Sequence, residues 1–309
     1  MAMLSIILLS TLVSVAGLAG CNREKPAEVH LDRRIAQAPT STAKGPKPLR
    51  LGMGAMITPK EGYVYYYQLK EYLAEKIGRP IDLVDRDNYT EIDKMLEKRE
   101  LEIGFVCSGP YVEGHDRYGL EIIAVPEVNG VSTYQAYIIV PQKSPAREFR
   151  ELRGARFAFT DPKSNTGALV PTYMLARMHE TPKSFFKKVI YTYGHDKSIK
   201  AVAEGVVDGA AVDSLIWNTF LRSHPEIATK VKIIARSPAY GIPPLVAVPG
   251  IDPSLKKKIR EALLAMDADP AGKKILANMN IDRFVLQPDS AYESIREMEA
   301  WIARQKGQK

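Results

Sequence analysis

Apolar positions along the chain fall into two alternating rhythms. Short runs of strand character, Leu49–Met53, Ile81–Val84, Ile103–Cys107, Glu121–Val125 and Ala136–Val140, are separated by stretches of helical spacing. Tyr65, Leu69, Tyr72, Leu73 and Ile77 predict an amphipathic helix closed by Gly78, and Thr90 is placed to cap a second helix with Ile92, Met95 and Leu96 on its apolar face. After Pro141 the rhythm restarts. Strands are predicted over 156–160, 188–192, 209–212 and 231–235, with helices over about 167–179, 197–206 and 214–222. A return strand at 243–248 precedes C-terminal helices over 253–266, about 270–279, and 289–305. Such alternation predicts an α/β fold with parallel sheets. A crossing near 140 and a return near 243 describe two lobes with a cleft, lobe I from 48–138 and 243–309 and lobe II from 139–242. In open α/β sheets ligands sit beyond the carboxyl ends of the strands, at helix N-termini.

The N-terminus follows neither rhythm. Residues 3–19 are almost wholly apolar or small, and polar chain follows at once, which reads as a secretory signal. Its end, Leu18-Ala19-Gly20-Cys21, resembles a bacterial lipoprotein cleavage site, so 1–21 is taken as a lipoprotein signal with Cys21 as the lipidated residue. Residues 22–47 carry Pro, Ser, Thr, Ala and charges without apolar periodicity and are expected to form a flexible tether. The chain is therefore expected outside the cytoplasm, anchored to a membrane by lipid.

Composition narrows the classes further. The 43 basic residues outnumber 36 acidic ones for a net charge of +7, but the two signs are mixed along the chain. The one basic run, Lys256-Lys257-Lys258, lies on an amphipathic helix where a solvated face is its ordinary use, so no nucleic-acid partner is expected. Cys21 and Cys107 are the only two cysteines, which leaves no disulfide framework. The five histidines show no ligand spacing with Cys107, so neither a metal site nor a cofactor is expected.

Candidate chemistry concentrates at the corner Phe159-Thr160-Asp161-Pro162-Lys163-Ser164-Asn165-Thr166-Gly167. Pro162 ends the strand, and Ser, Asn and Thr are preferred helix caps, so a well-capped helix is one reading. One cap suffices, however, and a surplus of hydroxyl and amide at a helix N-terminus is also what an anion site requires. Two further strand-to-helix corners carry Tyr193-Gly194-His195-Asp196 and Val212-Asp213-Ser214. A lone histidine or a lone cap aspartate is ordinarily structural. Imidazole, carboxylate and hydroxyls at one edge of one lobe favour a site.

Four segments carry a specific likeness: LRLGMGAMITP, LEIGFVCSGPYVEG, LRGARFAFTDPKSNTGALVP and YGHDKSIKAVAEGVVDGAAVDS. Over about residues 48–290 the chain resembles the phosphonate-binding family of ABC-transporter periplasmic proteins, which also covers phosphite and phosphate binders. The resemblance implies a type II periplasmic-binding-protein fold, two-lobed, that closes on a tetrahedral oxyanion. By matching position it implies that Ser164, Asn165, Thr166 and the Gly167 N–H hold the anion's oxygens, that His195 donates to another, and that Asp213 accepts from a P–OH or a substrate ammonium. It adds Tyr134 lining the cleft, with Ser108 and Thr58 from the first lobe. Where family members usually show Ser-Thr-Ser, this chain has Ser-Asn-Thr, a carboxamide for a hydroxyl. Cys107 is the second departure, and related arsenite sensors bind through a cysteine at this strand end.

The expected function is an exported, monomeric solute-binding protein for a phosphate-like oxyanion, serving an ABC permease or a membrane sensor kinase. The alternatives are an arsenite- or arsenate-sensing protein using Cys107 and, in another class, a phosphohydrolase. For the last, Ser164, His195 and Asp213 can be imagined as a triad, but nothing resembles a nucleophile elbow or a metal cluster.

Overall fold

A computed structural model of the chain describes residues 46–54 and 59–307. The signal, Cys21, the tether up to residue 45 and Thr58 lie outside the described residues.

The first half builds β1 (Leu49–Met53), α1 (Pro59–Ile77), β2 (Ile81–Asp85), α2 (Tyr89–Glu97), β3 (Ile103–Phe105), α3 (Ser108–Tyr118) and β4 (Glu121–Glu127). A two-residue strand β5 (Thr133–Tyr134) then leads to β6 (Ala136–Pro141), β7 (Arg156–Phe159), α4 (Val170–Arg177), α5 (Pro182–Phe185), β8 (Lys188–Tyr191), α6 (His195–Ala203), β9 (Gly209–Asp213), α7 (Ser214–Ser223), α8 (Pro225–Ala228) and β10 (Val231–Arg236). The chain returns through β11 (Tyr240–Gly241) to β12 (Leu245–Ala247), α9 (Pro253–Leu264), α10 (Pro270–Met279), β13 (Arg283–Val285) and α11 (Glu293–Gly307).

The strands form two separate sheets. One runs β13-β4-β12-β3-β1-β2 and the other β10-β6-β9-β7-β8. β1, β2 and β3 are mutually parallel, as are β7, β8 and β9, while β12 and β6 enter their sheets antiparallel. Between the sheets the outgoing and returning chains pair as a short antiparallel ribbon, Tyr134 opposite Tyr240 and Thr133 opposite Gly241. Both faces of each sheet are covered, so the central strands are buried throughout, β9 along its whole length. α11 packs beside α3 and also reaches α4, where Trp301 meets Tyr173 edge-on at 5.4 Å.

Several boundaries differ from the sequence expectations. The second helix is capped by Asn88, whose side chain accepts from the Glu91 N–H at 3.0 Å, and not by Thr90, which lies inside it. α6 begins at His195 behind Gly194, two residues before the expected start at 197. α3 has no counterpart in the expected pattern, because Gly109, Pro110 and Gly114 read as turn residues. Pro110 costs nothing in a first turn, where its missing N–H has no intrahelical acceptor. Gly114 fits because Leu120 Cδ1 lies 2.5 Å from where a Cβ would stand.

At Gly109 the backbone of the first lobe lies close to the backbone of the 160–167 corner. A Cβ there would stand 2.8 Å from the Lys163 carbonyl oxygen and 3.5 Å from the Asn165 nitrogen. Both are backbone atoms, so a methyl group forces the two segments apart. Gly109→Ala is expected to weaken ligand binding about tenfold while leaving the circular-dichroism spectrum of the protein unchanged; calorimetric titration checks the first and spectroscopy the second.

Candidate functional site

The corner after β7 is built by its own hydrogen bonds. Ser164 is the cap: its Oγ accepts from the Gly167 N–H at 3.0 Å, and its carbonyl accepts from both Ala168 and Leu169. The result is a widened turn over Asn165–Leu169 that runs into α4, with Pro171 in the first turn. Gly167 is required by packing, since a Cβ there would lie 2.5 Å from the Thr160 Cβ. Its N–H is engaged by Ser164. Asn165 Nδ2 donates to the Tyr134 hydroxyl at 3.1 Å. Asn165 Oδ1 and Thr166 Oγ1 are fully buried and have no hydrogen-bond partner among the described residues. An unpaired buried acceptor or hydroxyl costs ~1–3 kcal/mol, and such a group calls for a ligand, ion or water.

The two neighbouring corners interlock with the first. His195, buried at the start of α6, accepts the Asp213 backbone N–H on Nδ1 at 3.0 Å, and Thr160 Oγ1 lies 3.1 Å from the same nitrogen. With Nδ1 an acceptor, the network assigns the proton to Nε2. Burial pushes the imidazole pKa down to about 3, so the ring is a neutral donor at physiological pH. Asp213 caps α7, its Oδ1 accepting from Leu215 at 2.6 Å and Ile216 at 3.2 Å. Burial nevertheless pushes this carboxyl up to about 7, outweighing those two N–H groups. Ser164, His195 and Asp213 do not make a triad. A triad histidine donates through Nδ1 to its carboxylate, whereas here Nδ1 accepts a hydrogen bond from the Asp213 backbone N–H.

From the other lobe, Cys107 stands at the N-cap of α3, its Sγ 3.8 Å from the Tyr134 hydroxyl. Burial pushes the thiol up to about 11, against the Asn165 and Gly109 N–H groups, so it is not a thiolate. Ser108 Oγ donates to the Gly241 carbonyl at 2.7 Å and is committed to the ribbon between the sheets. The structure thus links Asn165, Tyr134 and Cys107 in one run of contacts, with Thr166 next along the corner and Ser164, His195 and Asp213 joined through Thr160 and the corner backbone. Two residues were not singled out from sequence. Tyr89, at the start of α2, is buried beside Cys107 with its hydroxyl unpaired. Tyr66 is buried on α1, its hydroxyl pushed up to about 12 by burial first and by Asp213 second. The available signal for Tyr89 was its place at a strand-to-helix corner of lobe I.

A charged contact seals the outer side. Lys163 Nζ lies 2.6 Å from Glu113 on α3 and 3.1 Å from Asp93 on α2. Burial pushes Asp93 up to about 6 in spite of the lysine. Burial also works to raise Glu113, but Lys163 and Arg117 hold it below its ordinary value. The Tyr89 N–H donates across the same junction to Asp161 at 3.2 Å.

Two parallel-cored sheets joined by a double crossing, with polar corners facing each other, define a type II periplasmic binding protein. The chain belongs to the family of periplasmic substrate-binding proteins of phosphonate ABC transporters, whose model matches residues 51–292. It is 24% identical over 231 residues to the phosphonates-binding periplasmic protein of Escherichia coli, covering 73% of this chain and 68% of that one. A solved binding-protein component of a Pseudomonas aeruginosa ABC phosphonate transporter superposes with a TM-score of 0.79 at 22% identity, over 84% of this chain and 88% of the other. The Prochlorococcus marinus protein PhnD1, solved with methylphosphonate, gives 0.75 at 19%, over 82% and 97%. Membership makes this an extracytoplasmic protein that works with a small ligand and a permease. These relatives support neither metalloid sensing through Cys107 nor reporting to a sensor kinase.

Two outcomes are expected. Asp213 has a folded-state pKa above its unfolded value of about 3.9, so its neutral form is the one the fold favours. Its destabilising effect is absent below that value, grows as pH rises toward about 7 and is complete above it. Thermal melts of the ligand-free protein should show stability falling between pH 4 and pH 8 by on the order of 2–4 kcal/mol. Asp213→Asn should flatten most of that slope, leaving the part due to Asp93. Separately, Lys163→Met should raise the ligand dissociation rate about tenfold with the association rate within about twofold, measured by stopped-flow fluorescence.

Proposed function

We propose that this chain is a lipid-anchored receptor that closes on a phosphate-like tetrahedral oxyanion, a phosphonate, phosphite or phosphate, and hands it to its ABC permease. The observation that carries the reading is the pair of buried, unpaired side-chain atoms Asn165 Oδ1 and Thr166 Oγ1 at a corner shared with neutral His195 and buried Asp213. Ser164, Asn165, Thr166 and His195 would contact the oxygens, Tyr134 and Tyr89 would line the cleft, and Asp213 would accept from a P–OH or an ammonium. Gly167 and Ser108 support from behind, their N–H and hydroxyl being engaged. Thr58 belongs to the same proposed set.

Binding alone is sufficient work for these groups. Hydrogen bonds to a charged ligand contribute ~1.5–3 kcal/mol each. Five or six offset ordering costs and leave micromolar affinity, about −8 kcal/mol. The lipid anchor at Cys21 rests on the cleavage-site pattern, and globomycin-sensitive processing would test it.

Titration calorimetry of the mature protein with phosphate, phosphite, methylphosphonate and 2-aminoethylphosphonate should give micromolar or tighter binding to at least one; no heat from any overturns the reading. Thr166→Ala should weaken that binding at least tenfold with the ligand-free melting temperature unchanged, because Oγ1 has no hydrogen-bond partner among the described residues. Unaltered affinity would make the corner only a helix cap.

A further inference from the structure

A groove of about 640 Å³ runs between α4, α11 and the short link from β10 to β11. None of the side chains Ser164, Asn165, Thr166, His195 and Asp213 lines it. One wall is a single stripe of α11: Ser294, Met298, Trp301 and Arg304 recur at helical spacing and share one face. Tyr173 and Met174 of α4 form the second wall. Tyr240 joins the third side to the first, its hydroxyl donating to Met298 Sδ at 3.4 Å. Trp301 and Tyr173 meet edge-on, and both keep part of their surface in solvent. Aromatic walls with a few polar groups, in a volume within about 300–1,000 Å³, are the make-up of a small-molecule pocket.

The charge at this groove is positive. Arg304 on α11 and Arg236 at the end of β10 both line it, both are exposed, and among the described residues neither guanidinium makes a hydrogen bond or an ion pair. Arg236 rests over the Tyr137 ring at 5.3 Å, a contact that orients the guanidinium without neutralising it. Arg177 stands beside the groove, over the Tyr173 and Trp301 rings at 6.0 and 5.9 Å. Among the described residues the one carboxylate in the lining is Glu297. We propose that the groove is a second ligand site, for a small planar aromatic anion such as an aryl carboxylate. The ring lies against Trp301 and Tyr173, and Arg236 and Arg304 hold the charged group. The surplus of guanidinium over carboxylate selects the sign of the ligand, and the planar fork of arginine suits a bidentate carboxylate. The aromatic walls suit a flat ring. Walls on three sides suit a small molecule, whereas a protein partner needs a broad face. The assignment makes no use of the oxyanion reading.

The test is calorimetric titration of the mature protein with 2-naphthoate, its neutral counterpart 2-naphthylmethanol, and the cation 2-naphthylmethylamine. Wild type should bind 2-naphthoate with a Kd of about 1 mM or tighter, and about tenfold tighter than either of the other two. Replacing both arginines, Arg236→Gln with Arg304→Gln, should remove that advantage and leave the circular-dichroism spectrum unchanged. Trp301→Ala should weaken 2-naphthoate binding, and Thr166→Ala should leave it as in wild type. The assignment is overturned if 2-naphthoate does not bind, if the alcohol or the amine binds as tightly, or if the advantage survives the loss of both arginines. It is equally overturned if Trp301→Ala binds 2-naphthoate as wild type does, or if Thr166→Ala loses it, which moves the probe to the corner after β7. Sedimentation velocity of the probe-free protein covers the remaining occupant: a dimer that Trp301→Ala dissociates gives the groove to a second copy and overturns the assignment. Each of these failures leaves the oxyanion reading standing.

Discussion

The hydrogen bond from the Asp213 backbone N–H to His195 Nδ1 decides what this site can do. It places the imidazole proton on Nε2, and burial keeps the ring from taking a second one. The histidine is therefore a fixed neutral ring with its proton on Nε2, unsuited to the shuttling role of a catalytic base. The same bond fastens the end of β9 to the start of α6, and Thr160 at the end of β7 touches the same nitrogen. Three corners that are far apart in sequence become one surface because a single ring nitrogen sits between them.

Around that surface, positive charge is kept at the edge. The chain carries a net +7, yet the cation nearest the corner in sequence, Lys163, is taken up by Asp93 and Glu113. The interior offers hydroxyls, an amide, a neutral imidazole, phenols and the Asp213 carboxyl, but no cation among the described residues. Dipoles of this kind bind an anion without a buried counter-ion, whose desolvation costs several kcal/mol. The charged contact serves instead to join α2 and α3 to the corner, where Gly109 already allows backbone to touch backbone.

Sequence showed the parts that obey periodicity. β1, β2, β6 and the strands of the second sheet were legible because buried strands read as apolar runs, and the corners because Pro162, Gly194 and Asp213 interrupt those runs. α3 was not legible, since its Gly-Pro start and Gly114 are tolerated for tertiary reasons, a first-turn position and the neighbouring Leu120. The β5–β11 ribbon is too short to carry a period. Tyr89 was hidden because its role depends on Cys107 and Asp213, which are distant in the chain. Whether Gly167 and Ser108 keep free donors was likewise beyond sequence, because each is answered by a local or cross-chain oxygen.

Asn165 shows how a one-residue departure redirects a site. A hydroxyl at that position can rotate to give or receive a proton. The carboxamide is fixed in direction: one Nδ2 hydrogen goes to Tyr134, which leaves the second N–H as a donor and Oδ1 as an unpaired acceptor among the described residues. Asp213, when ionised, is a second acceptor. In the proposed site two acceptors facing an anion would repel it unless the anion brought protons of its own. Thr166, Ser164, His195 Nε2 and the second Asn165 N–H would satisfy bare oxygens, while Asn165 Oδ1 and Asp213 would require P–OH or N–H. Such a site would favour a protonated monoanion, or a ligand carrying a separate donor, over a fully ionised dianion. Selection among phosphate-like ligands would then follow from proton count as well as shape.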